Sequence, residues 1–63
     1  MNKITIKDEY IKLGQALKLA GLSENGSEAK TEIAEGYVKV NGEVELRRGR
    51  KLYNGDVFKA GDS

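Results

Sequence analysis

Asn41-Gly42 stands between two alternating runs, Tyr37-Val38-Lys39-Val40 and Glu43-Val44-Glu45-Leu46. An Asn-Gly pair flanked in this way is the strongest short-range signal of a β-hairpin, because both residues tolerate the positive φ of a tight turn. The register is harder to satisfy. A two-residue loop sets Val40 opposite Glu43 and Val38 opposite Glu45, mixing acids with apolar side chains on one face. A one-residue slip turns every side chain to the other face. The alternation therefore predicts a three-residue loop, pairing Val38 or Val40 with Val44, or a bulge with Gly42 at positive φ.

Other elements follow from spacing. Ile4-Thr5-Ile6 is β-branched and alternates, which predicts a short strand. Asp8 offers an N-cap for a helix over Glu9–Ala20, with Leu13, Ala16, Leu17 and Ala20 along its apolar stripe and Gly21 just past its end. Leu22 to Gly26 is a connector. A second helix starts from Asn25 or Ser27, turns Ala29 and Ile33 inward and closes at Gly36. Leu52-Tyr53, the turn Asn54-Gly55-Asp56 and the strand Val57-Phe58 complete the order, and Lys59 to Ser63 reads as a loose end. Phe58 is expected in the core. The result is one α+β domain over residues 1–63, with two helices packed on a small antiparallel sheet in the order β-α-α-β-β-β.

Composition narrows the chemistry. In 63 residues there is no cysteine and no histidine. Thiol nucleophiles, thiolate metal sites, disulfides and the usual general base are therefore missing. The glutamates on the second helix read as a solvated face, without the Asp-rich loop of a calcium site. These observations argue against an enzyme and against a metal or cofactor site. No apolar run reaches the roughly 18 residues of a membrane span, and the first residues lack the apolar stretch of a secretory signal. A cytoplasmic protein without membrane or small-molecule partners is expected.

The charge distribution is more telling than its total of +1. Residues 1–46 carry six basic and eight acidic side chains, whereas residues 47–51 (Arg47, Arg48, Gly49, Arg50, Lys51) carry four basic and none acidic. One segment supplies the positive excess. Strands before and after it fix it in space, and its arginines present planar forks suited to phosphate oxygens. Tyr37 and Tyr53 could stack on bases.

Beyond these readings, Lys12-Leu13-x-x-x-Leu17, Ser27-Glu28-Ala29-Lys30-x-x-Ile33-x-x-Gly36-x-Val38-x-Val40-Asn41-Gly42 and Gly55-Asp56-Val57 resemble the S-four domain. This is the small RNA-binding module named after a ribosomal small-subunit protein. The resemblance covers residues 11–58, and the stretch Glu43–Leu52 is most similar to the stand-alone YaaA/YbcJ-like branch. It implies non-catalytic binding of structured RNA, ribosomal or transfer, by the two helices and an adjoining loop, with the ribosomal particle as a possible partner. Position by position it points to Lys12, Ser27, Lys30, Lys39 and Asn41; the charge reading adds Arg47, Arg48, Arg50 and Lys51. Gly14 stands where many members carry an acid, and Gly26 where an arginine commonly precedes the serine. Both departures leave more of the task to residues 47–51.

Two other classes fit parts of the pattern. A protein-interaction module could dock an acidic partner on the basic loop. A β-grasp sulfur carrier would share the late Gly-Asp turn, but it needs a C-terminal Gly-Gly where this sequence has Ala60-Gly61-Asp62-Ser63.

Overall fold

Leu13, Ala16 and Leu17 recur at helical spacing and are buried in the computed structural model, which describes all 63 residues. They lie on α1 (Leu13–Leu19), and Ala29 and Ile33 form the buried stripe of α2 (Gly26–Ala34). Both helices end as their glycines predict. The N–H of Gly21 donates to Lys18 O and that of Leu22 to Leu17 O; Gly36 and Tyr37 donate in the same pattern to Ile33 O and Glu32 O. Of the two caps offered for α2, Asn25 is the one used: its side chain accepts from the Glu28 N–H at 2.9 Å.

The first helix starts four residues later than the sequence suggests. Residues 11–12 form a strand, β2 (Ile11–Lys12), paired antiparallel with β5 (Lys51–Leu52) in a separate two-stranded ribbon. Asp8 therefore caps nothing, and Lys12 occupies the N-cap position. Pairing of Ile11 with Leu52 outweighs helix propensity here, because fully buried Leu52 anchors that ribbon to the core.

The main sheet is antiparallel, in the order β1 (Asn2–Lys3), β6 (Val57–Ala60), β3 (Val38–Val40), β4 (Glu43–Val44). Its first strand also departs from expectation. Ladder pairing occupies residues 2–3, and from Ile4 onward the chain bonds to the turn before β6: Ile4 N donates to Asp56 O at 2.8 Å, and Ile6 N to Asn54 Oδ1 at 2.7 Å. The tail is not loose. Ala60 is buried in β6 opposite Val38, Gly61 N donates to Tyr37 O, and Asn2 Nδ2 donates to Ser63 O at 2.7 Å. Phe58 is core, as expected, beside Ile4, Val38 and Val40.

The hairpin corrects the register argument. Val40 pairs with Glu43 and Lys39 with Val44, so the loop is the two-residue one, with Asn41 at φ 51° and Gly42 at φ 87°. Gly42 has the expected positive φ, but the three-residue loop is not formed. Glu45 N donates to Val38 O, which sets Glu45 opposite a residue of the core. Glu45 is consequently 7% exposed, while Val44 and Leu46 face solvent. The alternation argument assumed that no acid would face inward; this one does because two arginines neutralise it there.

A Cβ at Gly42 would meet nothing within 4 Å, so only the left-handed backbone penalises it. Gly42→Ala is expected to cost about 1 kcal/mol in urea unfolding. Gly49→Ala, at a residue with equally open surroundings and no positive φ, should leave the midpoint unchanged within error.

Candidate nucleic-acid interface

The first amides of a helix have no intrahelical acceptor. In α1 the basic loop supplies them: Leu13 N donates to Arg50 O at 2.8 Å and Gly14 N to Arg48 O at 3.1 Å. Lys12 N is met by Gln15 Oε1 at 3.4 Å. The backbone of residues 48–50 is thus bonded to the helix, leaving the side chains of that loop free to point elsewhere. A Cβ at Gly14 would lie 3.7 Å from Arg48 O, an ordinary van der Waals contact, so this approach does not itself require glycine.

From the other side the loop is held by Glu45. Its carboxylate accepts from Arg47 Nε at 3.0 Å and Nη2 at 3.3 Å, from Arg47 N at 3.0 Å and from Arg50 Nη1 at 2.7 Å. Arg50 N also donates to Arg47 O, closing the turn. The Arg47 guanidinium, followed by that of Arg50, lowers the Glu45 pKa from 4.5 to about 2 against the opposing effect of burial. In return the carboxylate raises the pKa of Arg47.

Arg48 lies apart from this cluster. With Lys12 and Lys18 it borders a shallow cleft of about 300 Å³ between α1 and the start of α2, floored by Gly14, Gly26, Ala29 and Gly49. Arg47, Arg50, Lys51 and Tyr53 border a second, more open groove of about 550 Å³, and Gly49 is common to both. Ser27 and Lys30 are exposed on α2, Lys30 one turn beyond Gly26. Lys39 is elsewhere, in a depression with Met1, Phe58 and Lys59. The Asn41 side chain is engaged with neighbouring backbone and side chain: Oδ1 accepts from Val57 N at 3.1 Å and Nδ2 donates to Asp56 Oδ1 at 3.3 Å. Asp56 also accepts from Tyr53 N at 2.8 Å. Its carboxyl is held below the ordinary value, first by that Tyr53 N–H and then by Asn41.

The predicted site residues therefore divide. Lys12, Arg48, Arg47, Arg50 and Lys51 border two grooves that meet at Gly49, with Ser27 and Lys30 on the neighbouring helix; Lys39 and Asn41 lie at other places on the fold. Sequence reasoning passed over three residues. Lys18, one turn after Gly14 on the cleft side of α1, lies outside both the basic run and the residues that carry the family resemblance. The three-residue loop expected from the alternation would have turned Glu45 to solvent, although the mismatch in the two-residue register pointed to it. Tyr10 carried no local signal. Tyr37, weighed for stacking, lies over Gly61.

A domain-family model described as the S4 domain matches residues 4–63. The chain belongs to the S4 domain family. It is 54% identical over 58 residues to the "Probable ribosome maturation protein RlbA" of Bacillus subtilis, a match covering 92% of this chain and 82% of that protein. It is 49% identical over 51 residues to the "Putative RNA-binding protein YbcJ" of Escherichia coli, covering 81% and 73% respectively. The S4 domain is an RNA-binding module, and the likeness to the stand-alone branch holds. No helix is long and apolar enough to cross a membrane.

The ion cluster sets an acid limit on stability. A carboxylate whose folded pKa lies below its unfolded value stabilises fully above the unfolded value, here 4.5, and loses that contribution as pH falls toward about 2. Glu45→Gln is expected to cost about 1–2 kcal/mol near neutrality, a modest figure because the Arg47 side chain lies largely in water. It should also flatten the acid limb in circular-dichroism melts recorded against pH. An acid limb as steep as that of the wild type would remove Glu45 from this role.

Proposed function

We propose that this protein is a non-catalytic binder of structured RNA, ribosomal or transfer, acting in the cytoplasm, and that its contact surface is the pair of grooves meeting at Gly49. Support comes from one observation above all: the backbone of the basic loop is bonded to the amides of α1, so Arg48 faces Lys12 and Lys18 across one cleft before any ligand arrives. A loop backbone held in this way loses little further entropy on binding, so only the side chains of these cations have to be ordered. A-form RNA offers phosphates and 2′-hydroxyls at regular intervals but hides its base edges in a deep major groove, so a small fixed set of cations reads it by shape. The named relatives point the same way, one toward ribosome maturation and the other toward RNA.

Within this surface Arg48, Lys12 and Lys18 are phosphate ligands, with Lys30 extending the rim along α2. Arg47 and Arg50 keep donors beyond those given to Glu45, and they border the second groove with Lys51. Lys39 and Asn41 are not needed for this surface.

In fluorescence anisotropy with ribosomal or transfer RNA fragments, affinity should fall steeply with salt. The Lys12→Ala/Arg48→Ala double variant should bind about tenfold more weakly in about 100 mM salt, and its slope of log affinity against log salt should be shallower by about 2. Its thermal midpoint should not move, since neither side chain takes part in the hydrogen bonds and ion pairs that hold the loop. Wild-type affinity and slope in the double variant would remove the proposed surface.

A further inference from the structure

The small ribbon formed by β2 and β5 has two faces. Ile11 and Leu52 pair in register and turn toward the core, Leu52 with no exposure at all. Side chains alternate along a strand. The neighbours of this pair, Lys12 opposite Lys51 on one side and Tyr10 with Tyr53 on the other, therefore share the outer face. The two tyrosine rings have centroids 6.2 Å apart and planes inclined at 56°, and Lys51 Nζ lies 4.7 Å from the Tyr10 centroid. Tyr53 is 46% exposed and borders the open groove beside Arg47, Arg50 and Lys51.

Aromatic surface half open to water has to be held in place to be useful, and here it is. Tyr53 N donates to Asp56 Oδ2 and Tyr53 O accepts from Asp56 N, so both backbone groups of Tyr53 are bonded to one residue. Leu52 anchors it from the other direction. One face of Tyr10 is covered by Lys51 and its neighbour is Tyr53, which makes Tyr10 the support and Tyr53 the open surface.

We propose that Tyr53, backed by Tyr10, is a stacking platform for a single unpaired nucleobase of the bound RNA, whose flanking phosphates lie along Arg47, Arg50 and Lys51. This inference rests on the RNA-binding reading above and adds a ligand class to it: a stem carrying a bulged or splayed nucleotide, as distinct from an uninterrupted duplex. A base stacks on an aromatic face whatever its identity, and cations beside the ring hold the sugar-phosphate chain that carries it.

Two synthetic RNA hairpins test this, identical except for one bulged nucleotide, with 2-aminopurine at the bulge. Wild-type protein should bind the bulged hairpin about tenfold more tightly than the plain one, and 2-aminopurine fluorescence should fall on binding. Tyr53→Leu should lose both the preference and the quenching, binding the bulged hairpin no more tightly than the plain one. Tyr53→Phe, which keeps the ring, should retain both. Equal binding of the two hairpins by wild type, or an undiminished preference in Tyr53→Leu, would overturn the platform alone. Failure of wild type to bind either hairpin would overturn the RNA reading and the platform with it.

Discussion

Two backbone hydrogen bonds, from the first amides of α1 to the carbonyls of Arg50 and Arg48, organise most of this small protein. A helix of seven residues is far too short to persist by itself. It is completed at one end by Gly21 and Leu22 and at the other by the basic loop, so helix and loop define each other. Any displacement of the loop would strand two donors near the core, where an unpaired amide costs about 1–3 kcal/mol. That penalty, and not charge, is what makes the run of cations a fixed feature of the surface.

Glu45 supplies the complementary constraint. A carboxylate facing the core is tolerable only when its lone pairs are met; three donors on Arg47 and Arg50 side chains and one on the Arg47 backbone meet them. The hairpin register, the inward acid and the bend of the loop are thus one solution to one problem. If the hairpin slipped to place Val44 inward, Glu45 would turn to solvent and the arginines would lose the anchor that orients them. The apolar match that a longer loop would have gained is given up for a placed guanidinium pair.

This explains which parts could be read from the sequence. Helix ends at Gly21 and Gly36, a cap at Asn25 or Ser27, the place of the Asn41-Gly42 turn though not its loop length, and core Phe58 all depend on near neighbours, and all were legible. The β2–β5 ribbon was not, because a ladder of two residues has no period to detect and its strands are distant in the chain. The start of α1 was misread for the same reason: its first amides are satisfied by residues far along the sequence, so Asp8 looked like the only available cap. Glu45 was misassigned by a sound general rule that acids face water; the conflict in register was itself the clue. The cluster of cations was found as a set, but its division into anchored arginines and an unpaired Arg48 required the fold.

That division bears on how the surface meets an anion. An arginine bonded to a carboxylate is often counted as lost to other partners, yet a guanidinium has five N–H donors and a carboxylate in a fork takes only some of them. Arg47 gives Glu45 its Nε and Nη2 and Arg50 gives Nη1, leaving donors on both. Glu45 cancels one of the two charges but removes the rotamer freedom of both side chains in advance, and that freedom is among the larger entropic costs a long cationic side chain faces on binding. The Arg48 side chain is tied by no hydrogen bond or ion pair, and it lies beside Lys12 and Lys18. The two grooves therefore differ in kind. One has two arginines tied to Glu45, with Lys51 and Tyr53 beside them, and is the more ordered before any ligand binds. The other gathers three cations, Lys12, Lys18 and Arg48, with no acid on its rim, so its attraction for an anion is the more purely electrostatic.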